Sequence, residues 1–284
     1  MIYIPFIGAL AYAVSTIMEK TILKIKKISI KNYLIVTFLG VVIVMLPFIY
    51  LFWGIKPQAF EFRNIIIFLV VIIFSIIANL FYLYSLKGEK VTKTEPARIL
   101  EPLFVIILAI IFSFLINPDL YERKLNVIIP ALIAGVALVF SHIKKDHIQF
   151  NKYFTAAVLG SFFFALELII TRLILDFYSP MTFYFLRASS ILLISLLIFK
   201  PKFIDIKTPI KLKILLISFF WVIYRVIIYY GYLKLGIVFT TLVIMVAPIF
   251  IYIFARIFLK EKLSWRNIVA SIIIAGCVVY AVLF

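Results

Sequence analysis

The stretch GALAYAVSTIMEKTILKI, from Gly8 to Ile25, returns 152 residues later as GSFFFALELIITRLILDF, from Gly160 to Phe177. Gly8/Gly160, Ala13/Ala165, Ile17/Ile169, Ile22/Ile174 and Leu23/Leu175 are identical, and Lys20 meets Arg172. A second pair follows: NVIIPALIAG (Asn126 to Gly135) matches NIVASIIIAG (Asn267 to Gly276) at Asn126/Asn267, Ala134/Ala275 and Gly135/Gly276. Between them LEPLF (Leu100 to Phe104) aligns with VAPIF (Val246 to Phe250), which sets Pro102 on Pro248. Any one match could come from apolar composition. Three in the same order mark an internal duplication.

Composition decides what is duplicated. The chain has 284 residues, a mean hydropathy of +1.21, 66% hydrophobic residues and only 14% charged ones. A soluble domain carries roughly 45–50% apolar and about 25% charged residues. Too little polar surface remains to cover a water-soluble globule. The apolar runs fall near 3–24, 32–53, 64–86, 95–116, 125–141, 153–175, 180–199, 212–233, 238–258 and 266–283. Most approach the ~20 residues that an α-helix needs to cross a hydrocarbon core. The expected fold is an all-α integral membrane protein with ten transmembrane helices, arranged as five-helix repeats over 3–141 and 153–283. The first run lacks a basic leader and a small-residue cleavage site, so it reads as a spanning helix and not a removed signal.

Charge gives the orientation. Of the 29 Lys and Arg, 21 lie in or beside loops one, three, five, seven and nine, and 6 in the even loops; Arg187 and Arg225 lie within helices. The positive-inside rule then puts the odd loops in the cytoplasm of a plasma-membrane protein and both termini outside. An odd number of helices per repeat forces the two copies to insert with opposite topology, and the charge pattern inverts between the halves accordingly. The net charge of +17 is explained by this placement, so no nucleic-acid partner is expected. The one cysteine, Cys277, forms no intramolecular disulfide and no cysteine metal site.

Several motifs resemble the drug/metabolite transporter superfamily, specifically the ten-helix EamA-type permeases. They are YSPMTFYFLR (Tyr178 to Arg187), the turn at Leu86 to Gly88, LEPLF at Leu100 to Phe104, and APIF…LKEKLSWRNIVASIIIAG at Ala247 to Gly276. The stretch Asn117 to Lys124 departs from the compact acidic turn usual in that family. The resemblance implies export of amino acids, other metabolites or drugs, and relatives carry sugars, nucleotide sugars or lipid-linked carriers.

Ionisable side chains cost about 2.5–3.5 kcal/mol each at the centre of a spanning helix, which makes them candidates for function. They are Arg98 and Glu101 in the fourth segment, Glu167 in the sixth, Arg187 in the seventh and Arg225 in the eighth. Arg187, nearer the outer interface, is read as structural. Glu95, Arg98 and Glu101 share one helical face, with Glu101 the deeper carboxylate and a candidate proton acceptor. Pro102 and Pro248 are expected to kink their helices. Glu167 and Arg225 lie at similar depth when counted from the cytoplasmic ends, and are expected to pair at the cavity. Asn79, Tyr82 and Tyr224 are candidate cavity residues, whereas Tyr229 and Tyr230 read as an interfacial belt. Ala131/Gly135 and Ser271/Ala275 have the small-xxx-small spacing of close helix packing.

No enzyme constellation is visible, since His142 and His147 lack ligand or carboxylate partners at a useful spacing. No cofactor or metal is expected. The function expected is a secondary carrier, ion-coupled (by protons) or exchanging, that exports a small polar or amphipathic metabolite by alternating access. Two alternatives remain open at this stage: a flippase for a lipid-linked head group, and a non-transporting receptor or membrane enzyme.

Overall fold

A computed structural model of the protein describes residues 3–23, 30–88, 99–116, 120–121, 124–142, 152–200, 208–258 and 265–283. The first half supplies α1 (Ile4–Leu23), α2 (Ile30–Phe52), α3 (Phe62–Gly88), α4 (Leu100–Leu115) and α5 (Leu125–His142). The second supplies α6 (Lys152–Thr171), α7 (Pro180–Phe199), α8 (Thr208–Lys234), α9 (Ile237–Ile244), α10 (Ala247–Phe258) and α11 (Trp265–Leu283). Among the described residues there is no strand, only one isolated antiparallel bridge between Ile55 and Tyr178.

Among the described residues seven spans are long and apolar enough to cross a membrane: one each in α2, α3, α6, α7, α8 and α11, and one running through α9 and α10. Ile4–Glu19, Leu100–Leu115 and Leu125–Ser141 are shorter apolar stretches. The surface supports the same solvent. Large apolar side chains point outward along α2 (Leu39, Ile43, Leu46), α5 (Ile129, Ile133) and α11 (Ile268, Ile272), while Glu167, Arg187 and Arg225 are buried. A water-soluble protein distributes its residues the other way round. The chain is a multi-pass membrane protein.

The ninth expected segment, 238–258, is not one helix. It breaks at Met245–Val246, where Met245 N–H bonds the Leu242 carbonyl at 3.2 Å and Val246 N–H the Val243 carbonyl at 3.1 Å. Pro248 is the second residue of α10 and has no N–H to offer Ile244, so the expected kink is a break between two helices. Pro102 likewise stands in the first turn of α4, where a missing N–H costs nothing. The short α9 has Val238, Leu242 and Val243 wholly buried, as an all-round apolar helix requires.

The packing follows the duplication. α1 packs on α8 and α3 on α6, α2 faces α7, α5 faces α11, α4 meets α6, and α1 meets α10. Exchanging the halves maps these contacts onto one another. The repeated glycine has a matching physical role in both. A Cβ at Gly160 would stand 3.3 Å from the Ala78 carbonyl oxygen and 3.3 Å from the Tyr82 nitrogen, both in α3; one at Gly8 would stand 2.9 Å from Ile227 Cγ2 in α8. Each glycine lets the first helix of one half approach the third helix of the other.

Not every small residue packs closely. Ala131 and Gly135 are buried as expected, with Leu103 Cδ1 3.0 Å from a Cβ placed on Gly135. Ser271 and Ala275 do not sit in the seam. α11 buries Ala270, Ile274, Val278 and Ala281, a stripe displaced by one residue, and leaves Ala275 exposed. A Cβ at Gly276 meets nothing within 4 Å.

Gly160→Leu is therefore expected to lower stability by about 1–3 kcal/mol or more, the usual cost of overpacking, whereas Gly276→Leu should leave it near that of the parent. Thermal unfolding of the two detergent-solubilised variants checks the contrast.

Candidate functional site

A cavity of about 190 Å³ lies at the junction of the two halves. The first half contributes Tyr12, Thr37, Asn79, Tyr82 and Glu101 among others, and the second Ser161, Arg187, Tyr224, Arg225 and Tyr252. The lining residues come from particular levels of their helices. Glu19 is near the end of α1, Tyr33 near the start of α2, Tyr82 near the end of α3, and Glu101 at the start of α4. All these ends adjoin odd-numbered loops. The cavity thus occupies the half of the bundle next to the basic loops.

The opposite end is closed by backbone and aromatic contacts. Across the Ile55–Tyr178 bridge, Lys56 N–H donates to the Phe177 carbonyl and Ser179 N–H to the Gly54 carbonyl, both at 2.8 Å. Gly54 N–H donates to Thr182 Oγ1 at 3.0 Å, and Ser179 Oγ donates to the Phe52 carbonyl at 2.5 Å. Ser179 also caps α7 by accepting from Thr182 N–H, with Pro180 at the first helical position. Beneath this latch Tyr178 stacks on Phe68 at 6.1 Å, and Phe183 meets Tyr178 at 5.5 Å and Tyr229 at 5.2 Å, both edge-on. Tyr229 is wholly buried, so it belongs to this plug and not to an interfacial belt. On the same side, Tyr121 in the fourth loop donates its hydroxyl to the Ile169 carbonyl at 2.9 Å. Burial pushes that phenol well above its ordinary range, which keeps it a donor.

Glu167 does not pair with Arg225. Its carboxylate is held by Arg187, with Nε 2.9 Å from Oε1 and Nη2 3.1 Å from Oε2. Arg187 Nε also donates to Ser75 Oγ at 3.1 Å, and Thr171 Oγ1 donates to Glu167 Oε1 at 3.4 Å. The two-pronged fit is the geometry guanidinium and carboxylate prefer. α3, α6 and α7 are pinned together by it. Counting from the cytoplasmic ends overlooked the hairpin: loop six joins α6 to α7, which brings Glu167, four residues before Thr171, level with Arg187, seven residues after Pro180. Glu167 has no exposed surface, and only its partner Arg187 reaches the cavity.

Arg225 is placed differently. It lines the cavity with 7% of its surface exposed, and its Nη1 has no hydrogen-bond partner. Its guanidinium lies 5.7 Å from the centre of the Tyr224 ring. Tyr224 in turn packs against Tyr12 at 4.7 Å and edge-on against Trp221 at 5.5 Å. Glu167 and Glu101 lie within electrostatic range of Arg225. Glu167, however, is paired with Arg187, and the nearby Arg172 with Asp176.

Asn79, Tyr82, Glu101, Pro102, Tyr224, Arg225 and Pro248 all line the cavity. Asn79 satisfies its amide locally, donating to the Ser75 carbonyl at 2.7 Å. Arg98 and Glu95 lie outside the described residues. Tyr12, Glu19 and Trp221 were not singled out from sequence, though an acid inside the first apolar segment could have flagged Glu19. Ser75, one serine in an apolar run, gave no signal.

A duplicated bundle of apolar helices around a polar cavity defines a membrane protein of the solute-handling class. The profile of the EamA-like transporter family matches residues 1–141 and again residues 151–283. The chain belongs to that family, as its motifs had suggested. A solved crystal structure superposes with a TM-score of 0.71 at 14% identity, covering 99% of this chain and 96% of that one, which shows a shared fold. A search of curated proteins finds no match.

Because the Glu167–Arg187 fork is buried and satisfied, removing one partner strands the other. Glu167→Ala is expected to cost about 3–5 kcal/mol, and Ser75→Ala about 1 kcal/mol. Thermal unfolding checks both; a Glu167→Ala protein as stable as the parent would reject the structural role.

Proposed function

We propose that the protein is a secondary carrier which exports a small polar or amphipathic metabolite across the plasma membrane by alternating access. The observation that carries this reading is the cavity itself: polar and charged groups from both repeats converge inside a bundle whose outside is apolar. Ten spanning helices in two copies of five require opposite insertion, and the exchange-symmetric packing of α1, α3, α6 and α8 fits such an inverted pair. With the odd, basic loops in the cytoplasm, the cavity stands on the side from which an exported solute is loaded. Energy comes from exchange or from an ion gradient, and Glu101, which lines the cavity as Glu19 does, is the candidate proton acceptor. The cavity volume, about 190 Å³, lies below the roughly 300–1,000 Å³ of pockets that enclose drug-sized ligands. That favours a small solute over a lipid-linked head group.

Alternating access requires the latch at Gly54–Ser179 to part. Bridging Ile55→Cys with Tyr178→Cys in a Cys277→Ala background should abolish proteoliposome flux of the transported solute under oxidation and restore it on reduction. Full flux in the oxidised protein would reject the latch as a gate. For orientation, cysteines placed at Lys26, Lys145 and Lys202 should resist an impermeant maleimide in intact cells and react after lysis. Labelling of any of them from outside would reverse the sidedness.

A further inference from the structure

We infer that Arg225 is the anchor for a carboxylate, and that the solute is a small organic anion whose apolar or aromatic body lies against Tyr12, Trp221 and Tyr224. The inference rests on the carrier reading and names its substrate class.

Among the described residues two arginines line the cavity, and only one is spent. Arg187 gives its fork to Glu167 and Ser75. Arg225 is more than nine-tenths buried, Nη1 has no hydrogen-bond partner, and no carboxylate of the described residues lies within ion-pair distance. Buried donors are almost always satisfied, so one left unmet at a cavity wall calls for an acceptor from outside the chain. A guanidinium cannot shed its proton to relieve the strain of burial, and its planar fork matches a carboxylate. Glu101 and Glu167 act on Arg225 through space, which makes its buried charge tolerable without occupying its hydrogens.

The neighbouring wall selects the rest of the molecule. Tyr12 lies 4.7 Å from Tyr224 and 5.8 Å from Trp221, ring centre to ring centre, and Trp221 lies 5.5 Å from Tyr224. All three line the cavity beside Arg225. Such a cluster offers edges and faces to a flat or apolar body, while a hydrated inorganic anion gains nothing from it. Charge at one end and ring contact at the other define an amphipathic monocarboxylate of about the size the cavity admits.

Trp221 supplies a readout that does not depend on transport. In a Trp53→Phe/Trp265→Phe background it is the remaining tryptophan, and its fluorescence reports occupancy of the purified protein. Phenylacetate should titrate this signal at least tenfold more tightly than phenylacetamide or phenethylamine, which keep the ring and lose the carboxylate. Arg225→Gln should weaken phenylacetate by about 10–100-fold, the worth of a charge-assisted hydrogen bond, and Arg225→Lys should fall between. Equal binding of the amide or amine, undiminished binding in a folded Arg225→Gln protein, displacement by inorganic phosphate as readily as by phenylacetate, or no titration at all would each overturn the assignment. If Arg225→Gln does not fold, the three-ligand comparison in the parent protein still decides. Flux of an amine or a neutral solute in proteoliposomes would leave the carrier reading standing and remove the anion; carboxylate binding with no flux of any solute would do the reverse.

Discussion

Inside a hydrocarbon slab a charge must find its counter-charge within the protein, because no water will supply one. The Glu167–Arg187 fork meets that requirement in full, with both carboxylate oxygens taken and Ser75 Oγ beside the Nε. Much of the second half is set from this one contact. It fixes the register of α6 against α7, holds both to α3, and sets the floor of the cavity at Arg187. An apolar pair of similar volume would pack as well. What the ion pair adds is direction, since a fork admits one relative rotation of the helices where leucines would admit several.

The duplication is the second constraint, and it explains why corresponding residues do different work. Gly8 and Gly160 each serve the same close approach, one to α8 and one to α3. Pro102 and Pro248 each open a helix at the cavity wall. Around Pro248 the chain leaves the α-helix for two residues, a departure that membranes permit only where the backbone faces protein or a cavity. Ile244, Met245 and Pro248 all line the cavity, so the break lies where it is tolerated. The buried charges at the cavity, by contrast, are not duplicated. Glu167 has Ser15 at its matching position, and Arg225 has Asn79 when α3 is laid on α8, which leaves the cavity with an asymmetric polar lining.

Much of the fold is legible in the sequence because membranes enforce simple rules. Segment length follows from hydrocarbon thickness and the in-order repeat from duplication, and the described helices fall on the expected apolar runs, the ninth of them divided in two. The break at Met245 escaped because an apolar run of 21 residues reads as one span whether or not its backbone is continuous. Depth along a helix was readable too, but azimuth was not. Equal depth made Arg225 a partner for Glu167 on paper, whereas the short connection between α6 and α7 brings Arg187 to it. The same ambiguity displaced the packing stripe of α11 from Ser271 and Ala275 to Ala270 and Ile274. Periodicity gives a face, and only the neighbouring helices decide which face is inside.

The even-loop side of the bundle is held by two different kinds of interaction, and that difference bears on how a cavity could change sides. At the even-loop end the closure is a handful of hydrogen bonds between Gly54–Lys56 and Phe177–Ser179, backed by rings that meet edge-on. Such contacts can be exchanged for contacts with water when the loops separate, so their net hold is about 0.5–1.5 kcal/mol per hydrogen bond. The Glu167–Arg187 fork, buried a few residues below, cannot be exchanged in that way and would be costly to break. A movement that opens the latch while keeping the fork must therefore carry α6 and α7 as one body, together with the part of α3 bound through Ser75. Arg225, on α8, lies outside that body. Its distance from Arg187 is then free to change if α8 shifts against that body, while the fork keeps Glu167 from following it.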